Sequence, residues 1–266
     1  MSRGGVISHL ISKVERDKSM SEQFARSAFL YGQKCIEKLI KCRVAVFGLG
    51  GVGGICAESL CRAGLGEIDV IDGDTICITN INRQVIATHA TVGLSKAKVM
   101  GERLREINPN ISVHEHNLFY LPEVADSIDF AVYDYIIDAV DTVAAKLEII
   151  SRASKMRVPV ISAMGAANKT MATAFEVADI YATSICPLAK VMRKELRKRG
   201  VGACKVVYSK EIPCEPKVND AYEQVLSELR AKGSARRALP ASNSFSPPIV
   251  GLIIASEVVA DLCAAM

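Results

Sequence analysis

Arg43-Val44-Ala45-Val46-Phe47-Gly48-Leu49-Gly50-Gly51-Val52-Gly53-Gly54 is the stretch on which the fold turns. Val44 to Phe47 is a short apolar run ending in glycine, as a buried parallel strand does. From Val52 to Ala63 the composition suits a helix and contains no proline. Strand, Gly-x-Gly-x-x-Gly turn and helix, in that order, form the phosphate-binding start of a doubly wound (Rossmann-like) α/β domain. Gly48, Gly50 and Gly53 carry the pattern, with Gly51 and Gly54 as further small residues. Without side chains, the backbone N–H groups of such a turn can approach phosphate oxygens, and the helix adds the positive end of its dipole. Taken alone, these glycines fit a tight turn that binds nothing equally well.

The next strand, Ile68 to Ile71, ends in Asp72, 19 residues after Gly53. That is the spacing of a carboxylate that holds a ribose, and up to here a dehydrogenase fits as well. Asp74, Asn80, Arg83 and Gln84 then crowd into the loop that follows. Loops at the carboxyl ends of parallel strands face the ligand crevice. A redox cofactor has little use for a guanidinium aimed at its phosphates. ATP under attack by a carboxylate needs one, because arginine holds phosphates bidentately and stabilises the departing pyrophosphate. Lys96, at the start of a helix, is either a second cation for the phosphates or a solvated surface lysine. Asp141 follows the strand Tyr135 to Ile137 and is either a magnesium ligand against the triphosphate or a helix N-cap.

Together, Gly-x-Gly-Gly-x-Gly, Asp72-x-Asp74, Thr79-Asn80-x-Asn82-Arg83-Gln84, Gly93-x-x-Lys96-Ala97 and Asp138-x-x-Asp141 resemble the ThiF/MoeB superfamily of ATP-dependent adenylating enzymes. The resemblance implies that Asp72 holds ribose, that Asn80, Arg83 and Lys96 hold phosphates, and that Asp141 holds Mg2+. Phe24-Ala25-Arg26 with Leu30-Tyr31-Gly32 is similar to the N-terminal segment of bacterial tRNA threonylcarbamoyladenosine dehydratases. It implies a homodimer in which Arg26 reaches the ATP phosphates of the other subunit; the alternative is a surface arginine on an amphipathic helix. The later runs Val158–Thr170, Pro187–Gly200 and Ser242–Gly251 are similar to the same dehydratase family. Its substrate is a tRNA carrying threonylcarbamoyladenosine beside the anticodon, and sulfur-relay proteins are among the partners the resemblance brings with it.

Three alternatives stay open, one of them a non-catalytic nucleotide-binding scaffold, which an intact set of ATP-site positions argues against. A sulfur-carrier activator would adenylate the C-terminal glycine of a ubiquitin-like protein in the same ATP site. An NAD-dependent oxidoreductase would share the glycine turn and Asp72 but leaves Arg83, Lys96 and Asp141 without a task. The nine cysteines contain no Cys-x-x-Cys pair, which argues against the usual zinc site of sulfur-carrier activators.

A tRNA must be gripped outside the ATP pocket. Lys190, Arg193, Lys194 and Arg197 fall on one face of a helix, where they can track phosphates. Arg236 and Arg237 add charge in an expected loop. The net charge of +4 suits such a partner weakly, and the absence of tryptophan argues against a base-stacking single-strand binder. Lys13 to Lys18 interrupts any apolar leader, and Ile249 to Ala255 is too short an apolar run to span a bilayer. The expectation is a cytoplasmic protein without membrane insertion, its cysteines reduced.

Helices are expected over 52–64, 95–107, 142–156, 186–199 and 248–264. A late antiparallel strand pair is expected from Thr173–Val177 and Lys205–Tyr208. Residues 209–245 read as a mobile segment over the substrate. The chain divides into a helical arm over 1–34, an ATP-binding part over 35–170, and a tRNA-binding extension over 171–266 packed on the same domain.

Overall fold

Val44 to Phe47 are wholly buried, as the central strand of a parallel sheet requires. In the computed structural model, which describes residues 22–231 and 239–264, this strand is β1 (Arg43–Phe47). It lies between β2 (Glu67–Ile71) and β4 (Tyr135–Asp138) and is parallel to both. With β3 (Ser112–His116), β5 (Val160–Ala163), β6 (Phe175–Asp179) and β7 (Lys205–Ser209), these strands make one sheet of order β3-β2-β1-β4-β5-β7-β6. Only β6 runs antiparallel, paired with β7 as expected. The chain reverses direction across the sheet between β1 and β4, and ligands of open α/β sheets bind at that switch point.

The expected helices are present with ends within two residues: α3 (Gly53–Ala63), α4 (Lys96–Ile107), α5 (Val143–Met156), α6 (Pro187–Lys198) and α8 (Ser246–Ala264). Two short helices, α1 (Ala25–Tyr31) and α2 (Gln33–Leu39), precede β1 and break at Gly32, whose φ is +86°. By length and composition, α8 alone among the described residues could cross a membrane. Its apolarity has a closer cause: it packs against α3, and a Cβ on Gly251 would lie 2.3 Å from the Val52 carbonyl oxygen. Lys205 anchors it further by pairing with Glu257 and Asp261 at 3.1 and 2.7 Å.

Two expectations need correction, and one strand was not foreseen. Residues 209–245 are not one loose segment. Helix α7 (Asp220–Ala231) lies within them, opened by Asp220 and Glu223 at its positive end. On either side of it, backbone bonds run from the Cys214 N–H to the Asn168 carbonyl and from the Asn168 N–H to the Ala241 carbonyl, 2.8 Å each. Pro213 and Pro216 just before the helix hide it from a reading for periodicity. The run with Arg236 and Arg237, like most of the proposed arm over 1–34, falls outside the described residues.

Strand β3 has no hydrophobic run. Its His114 and His116 stand 2.8 and 2.7 Å from Glu67 and Asp69 of β2, so partners rather than apolarity make this edge compatible with a sheet. Lastly, the cysteines are not all free thiols. Cys35 on α2 and Cys263 on α8 form a disulfide, with Cα atoms 5.2 Å apart across 228 residues of sequence, because the two helices pack together.

The third glycine of the turn tests this architecture. A Cβ on Gly53 would sit 1.8 Å from the Gly48 carbonyl oxygen, a backbone atom that cannot swing away. Gly53→Ala is therefore expected to cost at least about 3 kcal/mol, since overpacking against backbone lies at the upper end of such costs. A urea midpoint equal to the parent's would show that helix and strand do not meet as described.

Candidate active site

Gly48 ends β1 with φ +87°, and a Cβ there would meet the Ala139 carbonyl oxygen at 2.7 Å. The loops after β1 and β4 are thus pressed together at the switch point. Gly51 is equally crowded, with Pro247 of α8 at 2.8 Å and the Arg83 carbonyl oxygen at 3.2 Å from an added Cβ. Gly50 is open: the nearest atom to its added Cβ is Gln84 Nε2, at 3.8 Å. The turn therefore leaves room over Gly50 alone, between walls made by Gln84, Arg83 and the start of α8.

Asp72 braces this turn. One carboxylate oxygen accepts from the Leu49 N–H at 2.7 Å and the other from the Asp74 N–H at 2.8 Å. Burial pushes its pKa above the usual carboxylate value, against the opposing pull of Lys96. Lys96 is not a solvated helix lysine. It is buried, and its Nζ donates to Asp74 Oδ2 at 2.7 Å and lies 3.9 Å from Asp72 Oδ2. The ion pair extends across the loop from the first turn of α4, where Ser95 accepts from the Lys98 N–H to cap the helix.

Asn80 is buried at the end of a short 3-10 turn, with Oδ1 accepting from the Cys77 N–H at 3.1 Å. What it can offer a phosphate is its Nδ2 donor. Arg83 is half-buried and donates from Nη1 to the Thr79 carbonyl and to Asn82 Oδ1, both neutral and both at 2.9 Å. Burial lowers its pKa from the ordinary guanidinium value. A cation that gives up water without meeting a counter-charge is prepared for an anionic ligand. Gln84 is buried, and its Oε1 has no hydrogen-bond partner, a second group awaiting one.

Asp141 is exposed at the end of β4 and accepts from the Thr142 hydroxyl at 3.3 Å. The N-cap position of α5 is occupied by Thr142, one residue further on. Beneath it lies a cluster the sequence did not announce. Asp138, wholly buried, receives Lys146 Nζ at 3.0 Å and Ser162 Oγ at 2.5 Å. These groups come from β4, α5 and β5, and only their spacing in three dimensions reveals the set.

Arg26 is not brought to this site within its own chain; it lies exposed on α1, beside the outward-facing Phe29 and Leu30. The basic face of α6 forms as expected, with Ala189, Met192 and Leu196 buried behind it and Lys190, Lys194 and Arg197 exposed. Arg193 departs from that pattern. It is partly buried and donates to the Thr183 carbonyl at 2.9 Å and to the Thr183 hydroxyl. Its guanidinium holds the segment before the helix instead of facing solvent. Arg197 lies 5.2 Å over the Tyr181 ring.

The model of the ThiF family matches residues 21–265. The chain is 40% identical over 244 residues to the tRNA threonylcarbamoyladenosine dehydratase of Bacillus subtilis, covering 91% of this chain and 95% of that protein. Among solved structures, the Escherichia coli tRNA N6-threonylcarbamoyladenosine dehydratase in complex with AMP superposes with a TM-score of 0.80 at 30% identity, over 92% of this chain and 95% of that one. The same enzyme in complex with ATP gives a TM-score of 0.78, with the same identity and coverage.

Proposed function

The chain belongs to the ThiF family, and from that premise we infer that it dehydrates threonylcarbamoyladenosine in tRNA to the cyclic form, with ATP as the activating reagent. The observation that carries this reading is the glycine turn open at Gly50 beside the half-buried Arg83 and the unmet Gln84 oxygen, in a chain that is 40% identical along 91% of its length to a dehydratase.

The chemistry explains the residues. A carboxylate is a poor electrophile and its oxygen a poor leaving group. Attack of the threonyl carboxylate on the α-phosphorus of ATP forms a mixed anhydride with AMP and expels pyrophosphate. A nitrogen of the same modification then attacks the activated carbonyl, closes the ring and expels AMP, so the modified nucleoside loses one water. The work asked of the protein is positioning and charge neutralisation. Among the described residues, Cys56, Cys61 and Cys204 are buried, with thiol pKa values pushed up by burial, which suits no nucleophilic step.

In this reading the open face of Gly50, with Gly48, Gly51 and Gly53 shaping the turn, takes the phosphates. Asn80 Nδ2 and the Arg83 fork hold them, and Gln84 Oε1 finds its donor on the bound nucleotide. Asp72 accepts from the ribose with the lone pairs its two backbone bonds leave free. Asp74 neutralises Lys96 until phosphates draw that cation away. Magnesium fits the site's chemistry, because one exposed carboxylate plus phosphate oxygens is a usual set for it. Asp141 would hold the ion, which would neutralise charge on the triphosphate. In the dimer, Arg26 crosses to the partner's phosphates, and the exposed Phe29 and Leu30 on the same helix favour a second copy of the chain as its cover.

The tRNA grip is assigned to Lys190, Lys194 and Arg197. The start of α6 lies near the end of β5, since an added Cβ on Gly165 would lie 3.6 Å from Cys186 Sγ. Its far end leads into the start of β7, which is parallel to β5, so the helix runs from the carboxyl ends of these strands toward their amino ends. A helix rises about 1.5 Å per residue, so the three cations trace roughly 10 Å leading away from the ATP end. We assign Arg193 to fold maintenance instead. Functionally we divide the chain into the arm over 1–34, the nucleotide part over 35–170 and the tRNA part over 171–266. The cytoplasm and sulfur-relay partners remain part of this proposal.

The decisive assay incubates the chain with ATP, magnesium and tRNA bearing the linear modification, then digests the tRNA and weighs its nucleosides. Loss of one water from the modified adenosine is expected. An unchanged mass, together with pyrophosphate exchange dependent on a carrier protein's C-terminal glycine, would replace this reading with the sulfur-carrier alternative.

A further inference from the structure

Residues 242–247 bridge three loops at the mouth of the site. The Ser242 carbonyl accepts from Asn82 Nδ2 at 3.1 Å, in the loop that carries Arg83. Pro247 packs on the glycine turn, its Cβ 2.8 Å from a Cβ added to Gly51. Between them, Asn243 Nδ2 and the Ser246 hydroxyl both donate to the Lys169 carbonyl, at 2.7 and 2.9 Å, which fastens the bridge to the loop after β5. Asn243 Oδ1 in turn accepts from the N–H groups of Phe245 and Ser246 at 2.9 and 2.7 Å. The Phe245 carbonyl accepts from the Ile249 N–H at 3.0 Å.

Phe245 is therefore held through both its N–H and its carbonyl. Ser246 and Pro247, which follow it, are buried, while Phe245 remains 65% exposed. Single exposed apolar residues are common on protein surfaces; the position of this one is what singles it out.

Phosphates over Gly50 with a ribose at Asp72 extend from β1 toward β2. An acceptor carboxylate must reach the α-phosphorus from the side the nucleotide leaves open, that of β4 and β5. The basic face of α6 starts on that side, by the end of β5. The bridge, tied to the loop after β5 and to the glycine turn, stands between the two. The reacting carboxylate hangs from N6 of an adenine, so the base travels with it and must first leave its stack in the anticodon loop. We propose that Phe245 receives this modified adenine, the base lying on the ring while its threonyl carboxylate extends to the nucleotide. An aromatic face fixed through its backbone holds an extruded base by its π-surface. One ring suits one base, in keeping with a chain that has no tryptophan for a longer platform. The assignment rests on the dehydratase reading and deepens it by naming where the substrate base is held.

The test compares two end-labelled anticodon stem–loop RNAs by fluorescence anisotropy at fixed salt, without ATP. One carries the linear modification; the other is abasic at that position and keeps every phosphate. The parent protein is expected to bind the modified RNA about tenfold more tightly than the abasic one, within the range for one base–aromatic stack. Phe245→Ala should erase that difference and leave the abasic RNA within twofold of its parent affinity, while Phe245→Tyr keeps the difference. In turnover, Phe245→Ala should raise KM for the modified tRNA, with ATP affinity by calorimetry unchanged within twofold. Equal weakening of both RNAs by Phe245→Ala, or a difference that survives in it, overturns the proposal. A loss of ATP affinity or a changed oligomeric state in sedimentation would place the ring in the nucleotide wall or a subunit interface and overturn it too. Failure of the parent protein to cyclise the modified nucleoside in whole tRNA would instead overturn the dehydratase reading, and this assignment with it.

Discussion

Arg83→Ala loses turnover by about a thousandfold in kcat/KM while remaining folded, the upper end of what one charge-stabilising donor is worth at a reaction centre. The expectation comes from the state of that guanidinium. It is half-buried, its pKa is drawn down by burial, and its hydrogen-bond partners are the neutral Thr79 carbonyl and Asn82 amide. The fold gains little from such a group, so melting should shift by no more than a few degrees. The reaction gains much, because negative charge grows on the leaving pyrophosphate and the backbone around Gly51 holds the arginine against the turn. Arg83→Lys should recover only part of the activity, since an ammonium keeps the charge but not the planar fork. Timed assays of the cyclised nucleoside, with thermal melts of each variant, check both halves. Normal activity in Arg83→Ala would falsify the assignment of the loop from Asp72 to Gln84.

Lys146→Met should be the most destabilising of the substitutions considered, by about 3–5 kcal/mol, the cost of stranding one member of a buried ion pair. Lys146 is 1% exposed and Asp138 is wholly buried, so the carboxylate left behind has no water to turn to. Ser162 and the Val140 N–H would still bond to it, but neither carries charge. The double variant Asp138→Asn with Lys146→Met should regain much of the loss, because the stranded charge is gone. Urea unfolding of the two single variants and the double gives the coupling directly. If the losses simply add, the pair is not an isolated ion pair in the interior. A functional consequence accompanies it. The chain from Asp138 to Asp141 carries Ala139, which packs on Gly48, so loosening this corner should also weaken ATP binding.

Much of this was legible in the chain, and the reason is local. The glycine turn, Asp72 and Asp141 follow strand ends and Arg83 lies in the loop after β2, where a few neighbouring residues fix the backbone. The helices with apolar faces appeared within two residues of their expected ends, because period and caps are written in consecutive positions. Strand β3 was missed because its stability comes from charged partners on β2 and not from its own apolarity. Helix α7 was missed because prolines before it outweighed a weak amphipathic pattern. The bond from Arg193 to Thr183 was not legible, because a helical wheel shows which face a residue occupies but not whether a carbonyl waits beside it.

By itself, the sequence determined that a strand, a glycine turn and a helix begin a doubly wound domain, and it marked the side chains near the turn that we propose for ATP. Those features depend on spacing along the chain, and spacing survives without a fold. Only the tertiary structure decided that Lys96 is buried against Asp74, that Gln84 is left with an unmet oxygen, that Asn82 bonds to the carbonyl of Ser242, 160 residues away, and that Phe119 lies on Gly73. Each joins separate strands or loops, and such contacts exist only once the sheet has set its strand order.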